Sequence, residues 1–164
     1  MRVEARIEIS TPRALVWEYV SDPSRYLHFM SGITRWEVVG TKRTGPGARY
    51  RMLLRVGSAE VGGLIEVVEY ARDADLAWTS ITGVDQRGRW RLRPRSEDRT
   101  TVTTLRLSYG VAGSGISGWI AEQVAAPAVR GHLRRTLQQL KRQIEHEQLR
   151  NAAAERRRSR MGAA

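Results

Sequence analysis

Three histidines, His28, His132 and His146, are the side chains of this chain best suited to acid–base or metal chemistry near neutral pH. None stands at metal-ligand spacing from another histidine or from paired carboxylates, and the chain has no cysteine. We therefore expect no metal site and no thiolate or disulfide chemistry. His132 lies in an apolar helical pattern and can face an interior cavity. We place His28 near the mouth of that cavity and His146 in solvent.

Two charged residues, Glu66 and Arg106, interrupt apolar strand patterns. Such a residue can anchor the polar head of a ligand, and a carboxylate can act as a general base. Alternation with Leu105 and Leu107 turns Arg106 outward, whereas the apolar run around Glu66 leaves its direction open. Glu66 and His132 are thus the two candidate catalytic residues, and neither belongs to a recognised catalytic motif.

The stretch GSGISG, residues 113–118, matches the glycine pattern of dinucleotide-binding loops. Such a loop needs a parallel strand after its helix, with an acidic residue about 20 positions further on. The chain offers neither feature. We interpret the motif as a connector between a strand and a helix, and we expect no cofactor.

The basic character of the chain comes almost entirely from arginine. Formal net charge is +11, and only Lys42 and Lys141 among the 28 basic residues are lysines. This bias is typical of a GC-rich bacterial genome as well as of a need for guanidinium groups. The arginine-rich segment from residue 150 onward could contact an anionic membrane surface.

Arginine occupies every second position from Arg87 to Arg95. Trp90 and Leu92 lie between these arginines, so the pattern predicts a strand with a basic outer face and an apolar inner face. A nucleic-acid-binding sheet would instead expose aromatic rings for base stacking. We therefore do not expect nucleic acid as a partner.

The chain-wide patterns predict one α+β domain over residues 1–149 and a disordered basic tail over residues 150–164. Period-two alternation predicts seven strands, with two short helices after the first. From Gly118 the period becomes helical, which predicts a long C-terminal helix with a kink or break at Pro127. A curved antiparallel sheet wrapped around that helix buries both apolar faces and leaves a cavity between them. No signal peptide or membrane span is recognisable, so we expect a cytoplasmic location.

Residues on the inner side of the strands and of the helix are the candidate cavity lining. They are Trp36, Tyr50, Met52, Leu54, Trp78, Trp90, Leu105, Leu107, Val129, His132 and Leu133.

Several stretches resemble the START-like superfamily, also called SRPBCC or Bet v 1-like, and within it the polyketide cyclase/dehydrase group. These stretches are IEISTPRALVWEYVSDPSRY, PGARYRM, VVEYARDADLAW, GRWRLRP and AAPAVRGHLRRTLQQLKRQIE. The resemblance implies a helix-grip fold, in which the sheet grips the C-terminal helix around a hydrophobic cavity. Proteins of this kind mostly bind lipids, polyketides or other apolar molecules, and a minority catalyse cyclisation or dehydration.

Three functions follow as hypotheses. The leading one is the binding or carrying of an apolar small molecule, lipid-like, polyketide or aromatic, in the cavity. The first alternative is a polyketide cyclase or dehydratase, with Glu66 or His132 as the base. The second alternative is a basic module that binds anionic membrane or RNA through arginines of the tail and the long helix.

Overall fold

The computed structural model describes residues 1–110 and 116–161, with side chains described at 1–110 and 126–161. Seven strands and the helices in these ranges follow the predicted order. The strands are β1 (Arg2–Ile9), β2 (Ile33–Val39), β3 (Arg49–Val56), β4 (Ala59–Ala71), β5 (Asp75–Ser80), β6 (Gln86–Arg95) and β7 (Thr100–Tyr109). The helices are α1 (Arg13–Val20), a short 3-10 turn (Pro23–Arg25), α2 (Tyr26–Phe29) and α3 (Ile116–Met161). Residues 113–115 of the glycine motif and the Trp119 side chain lie outside the described parts.

The strands form one antiparallel sheet in the order β1-β7-β6-β5-β4-β3-β2. Alternation along each strand sends apolar side chains to one face, as on β3, where Tyr50 and Met52 are buried while Arg49 and Arg51 are exposed. That face curves around α3, which packs chiefly on β1 and also contacts β7 and β3. The predicted α+β architecture, with a curved sheet around a C-terminal helix, is confirmed.

Helix α3 presents one apolar stripe to the sheet. Val129, Leu133, Leu137, Leu140 and Ile144 recur at three- and four-residue intervals, and all are at most 5% exposed. Burying this stripe stabilises the helix far more than intrinsic propensity does. None of the helices in the described ranges has an apolar stretch long enough to cross a lipid bilayer.

Helix α3 differs from the sequence expectation at two places. The helix is not broken at Pro127, which lies inside it. Residues 150–161, for which we predicted disorder, are helical and almost entirely exposed. Alanine and arginine are both strong helix formers, so a helix already held by the sheet can extend through this segment without further packing.

The arginines of β6 lie on the outer face of the sheet, as the alternation predicts. Asp75 is their main partner: its carboxylate accepts hydrogen bonds from Arg91 at 3.0 Å and Arg93 at 2.8 Å. Arg89 is close to the same carboxylate at 3.4 Å and also pairs with Glu69. Arg89, Arg91 and Arg93 therefore form a network of ion pairs on this face and are not free cations.

Candidate functional site

The end of the sheet near α2 is filled by aromatic rings. Trp36 stacks on Tyr26 at 4.3 Å and on Tyr50 at 5.0 Å between ring centroids. Trp90, fully buried, donates its Nε1–H to the Tyr26 hydroxyl at 3.1 Å. Burial raises the pKa of Tyr50 to about 12, and its hydroxyl donates to the carbonyl of Arg43 at 2.6 Å. A void of only about 10 Å³ remains there, so these predicted lining residues fill the core instead of an open site.

The opposite end of the sheet holds an open cavity of about 530 Å³. This volume is within the range of small-molecule sites. Of the residues predicted to line a cavity, Met52, Leu54, Leu107 and Val129 border this one. The residues that the sequence analysis missed are Val56, Glu60, Val61, Gly62, Gly83, Val84, Gln86 and Tyr109. Most of the lining is therefore apolar.

Two glycines shape the rim of this cavity. A Cβ on Gly83 would lie 2.0 Å from the carbonyl oxygen of Gly62, so only glycine lets the β5–β6 connection approach β4 this closely. The amide of Val84 then donates to the same Gly62 oxygen at 3.1 Å. The paired glycines of β4 and the glycine after Thr82 are the sequence signal that could have located this rim.

A narrow extension of about 30 Å³ adjoins the cavity on its inner side. Met52, Leu54, Gln86 and Leu107 border both spaces. The extension also brings together the predicted residues Trp78, Leu105, His132 and Leu133 with the polar side chains of Ser31 and Thr136. The cavity and its extension thus collect eight of the eleven predicted lining residues.

His132 is the one titratable residue among the described residues that border the extension. Its Nδ1 lies 3.2 Å from Ser31 Oγ and 3.2 Å from the Arg135 guanidinium, and its ring packs against the backbone of Gly32. Desolvation and the Arg135 charge hold the pKa of His132 below its ordinary value, although a hydrogen bond with the backbone of Arg55 opposes them. This shift favours the neutral form of the imidazole.

The remaining charged candidates lie away from the cavity. Glu66 is on the outer face of β4, where its carboxylate pairs with Arg49 at 2.7 Å. It therefore cannot act as a base inside the cavity. Arg106 also lies outside, paired with Glu4 at 2.7 Å, as alternation predicts.

The other two histidines are exposed and border neither the cavity nor its extension. The carbonyl of His28 accepts a hydrogen bond from Gln143 at 2.7 Å, so His28 sits against the middle of α3 and not at the mouth. His146 borders the same surface cleft. Across the described residues, no three histidine, aspartate or glutamate side chains cluster closely enough to hold a metal ion.

The sequence matches one known protein family. A family model described as polyketide cyclase / dehydrase and lipid transport matches residues 1–145. The chain belongs to this family. Among curated proteins, none matches the sequence.

Solved structures similar to this member of the polyketide cyclase/dehydrase family share its fold at low sequence identity. TTHA0849 from Thermus thermophilus is 20% identical with a TM-score of 0.76, over 90% of this chain and 99% of its own. The Zhui aromatase/cyclase from Streptomyces sp. R1128 is 19% identical with a TM-score of 0.73, over 88% and 93%. A START superfamily protein from Mycobacterium smegmatis is 16% identical with a TM-score of 0.66, over 88% and 97%. At these identities the likeness establishes the START-like helix-grip fold and not the activity.

Proposed function

We propose that this protein binds and carries an apolar small molecule in the cavity between the sheet and α3. The observation that carries the proposal is the open cavity of about 530 Å³ with its mostly apolar lining. A void of that size in an otherwise packed core leaves apolar side chains in contact with water, and a ligand that fills it removes that apolar surface from solvent. The family description, which includes lipid transport, supports the same function.

The arrangement of the candidate bases Glu60, Glu66 and His132 among the described residues favours carriage over catalysis. A cyclase or dehydratase needs an acid and a base that reach the same substrate atoms. Glu60 lies at the exposed rim, paired with Arg55 at 3.3 Å, whereas His132 lies in the narrow extension. These two groups border different spaces, and Glu66 is outside altogether. A carrier needs only the apolar walls.

Native mass spectrometry of the protein purified from its own host tests the proposal. We expect an added mass that is lost on denaturation and recovered as an apolar molecule. The Val129→Trp variant places an indole where Val129 borders the cavity and should emerge without that mass. Leu27→Trp, at a position 53% exposed on α2, is the matched control and should keep it. An added mass that persists in Val129→Trp, or a wild type that takes up no apolar molecule even when incubated with host lipid extract, would contradict the proposal.

A further inference from the structure

Two buried hydrogen-bond donors at the inner end of the cavity have weak partners or none. Trp78 is 5% exposed, and its Nε1–H has no hydrogen-bond partner among the described residues. Gln86 is 6% exposed, and the partner of its Nε2 is the sulfur of Met52 at 3.4 Å. A thioether is a weak acceptor, so this amide donor is poorly satisfied. A buried donor without a good acceptor is unfavourable until something supplies one.

The two donors lie on the same part of the cavity wall. Trp78 on β5 pairs with Gly88 on β6, and the indole covers that glycine: a Cβ on Gly88 would lie 2.1 Å from Cε2, the atom bonded to Nε1. Gln86 is two residues before Gly88 on the same face of β6, a distance of about 6.7 Å along the strand. Both side chains border the narrow extension.

The other polar side chains that border the extension in the described ranges already have partners. Thr136 Oγ1 accepts from the amide of Ser31 at 2.9 Å, and Ser31 Oγ lies 3.2 Å from His132 Nδ1. The indole is a donor only, so the group that completes this wall must be an acceptor. A carboxylate would lose its hydration there without gaining a free cation, because the Arg135 guanidinium is exposed and already contacts Ser31 Oγ and His132 Nδ1, each at 3.2 Å. A neutral carbonyl oxygen has no such cost.

We infer that Trp78 and Gln86 are specificity-determining residues that donate hydrogen bonds to a carbonyl oxygen at the leading end of the bound molecule. The ligand class is then a neutral apolar ketone, quinone or ester, and not a hydrocarbon or a free fatty acid. This inference rests on the proposed function, since it assigns the ligand of the same cavity. It adds the direction of entry, with the carbonyl at the extension and the apolar remainder in the open cavity.

Two fluorescent probes of similar size test the carrier function and the recognition of a carbonyl group separately. Prodan is a neutral naphthyl ketone, and N-phenyl-naphthylamine is an apolar probe without a carbonyl group. Both should bind the wild type. Gln86→Met and Trp78→Phe each remove one hydrogen-bond donor. Each should lower the affinity for prodan roughly threefold to tenfold, while the affinity for N-phenyl-naphthylamine changes less than about twofold.

The carbonyl stretch of bound prodan reports the bond directly. It should lie at lower frequency in the wild type than in Gln86→Met, which a merely structural role of Gln86 would not produce. Trp36→Phe is the matched control, because its Nε1 is also buried without a partner among the described residues but lies in the filled aromatic end. It should change neither the prodan affinity nor the carbonyl frequency.

The outcomes distinguish the inference from the function on which it rests. If both probes bind and neither Trp78→Phe nor Gln86→Met alters the preference for prodan or its carbonyl frequency, the inference is wrong and the carrier function stands. If neither probe binds the wild type, the proposed function itself fails and the inference fails with it.

Discussion

Gly88 is the position at which a single methyl group tests the packing of the cavity wall. A Cβ there would lie 1.9 Å from Cζ2 and 2.1 Å from Cε2 of Trp78. Carbon atoms in contact are normally about 3.5 to 4.0 Å apart, so the indole must withdraw by roughly 1.5 Å. Overpacking costs about 1 to 3 kcal/mol, and an overlap of this depth lies in the upper part of that range, at about 2 to 3 kcal/mol. Replacing glycine by alanine in a strand offsets about 0.5 to 1 kcal/mol of this cost, because alanine reduces the conformational freedom of the unfolded chain.

Gly88→Ala should therefore lower the free energy of unfolding by about 1 to 2.5 kcal/mol. For a chain of this length that is a fall of about 2 to 10 °C in Tm. Urea unfolding at 25 °C, followed by circular dichroism, measures the change without relying on tryptophan emission. In the Trp78→Leu background the indole is gone, so adding the same methyl group should be neutral or stabilising. The two changes should couple by about 2 kcal/mol in a double-mutant cycle.

Gly110→Ala is the control for the methyl group itself, since no atom of the described residues lies within 4 Å of its Cβ position. It should alter the free energy of unfolding by no more than about 0.5 kcal/mol. If Gly88→Ala is as stable as the wild type, or loses the same free energy with and without Trp78, the indole does not lie against Gly88 and the proposed donor geometry is wrong.

Three further changes probe the charged groups and the tail. Burial raises the pKa of Asp75, but hydrogen bonds and charge from Arg93 and Arg91 outweigh it and hold the pKa below its usual range. Urea unfolding at pH 7 should therefore show that Asp75→Asn lowers the free energy of unfolding by about 1 to 3 kcal/mol. This difference should shrink as the pH falls below about 4, and an equal difference at pH 3 would contradict the expectation. Because the folded pKa of His132 lies below its unfolded value, the unfolded chain takes up that proton first, and stability is lost as the pH falls below about 6.5. The urea midpoint should therefore drop more between pH 7.5 and pH 5.5 in the wild type than in His132→Gln, and parallel profiles would refute this. Deletion of residues 151–164 should leave Tm within about 2 °C in calorimetry, because the helix there is exposed, whereas a larger fall would mean that this segment stabilises the domain.

The sheet and its faces could be predicted because strand alternation is a local property. On β6, Trp90 and Leu92 are fully buried, while Arg93 on the other parity is exposed. The polarity of each residue in such a strand indicates the face on which it lies. Seven alternating segments followed by one helical apolar stripe therefore determine the architecture. The outward direction of Arg106 followed from the same rule.

The division between filled and open parts of the interior could not be predicted in this way. Tyr50 and Met52 share one face of β3, yet Tyr50 stacks on Trp36 in the packed end while Met52 borders the cavity. The difference arises because Tyr26 of α2 completes the aromatic stack at one end only. That contact joins distant parts of the chain, and no periodicity in either segment encodes it.

Glu66 shows where local alternation becomes ambiguous. The pairing of β4 with β5 shifts register between Val67 and Glu69, so Val68 is an extra residue that reverses the parity of the strand. Ile65 and Val67 are buried before this bulge, which turns Glu66 outward. The apolar run alone cannot reveal a bulge, so the direction of the carboxylate required the sheet register.

Titration of N-phenyl-naphthylamine into the wild type and Val129→Trp is the most direct test that the cavity is a ligand site. The account predicts saturable binding of one probe per chain to the wild type, with a Kd between about 1 and 100 µM. It also predicts at least tenfold weaker binding to Val129→Trp, with full binding kept by the surface control Leu27→Trp. Equal affinity of all three proteins, or fluorescence that rises without saturation, would contradict it.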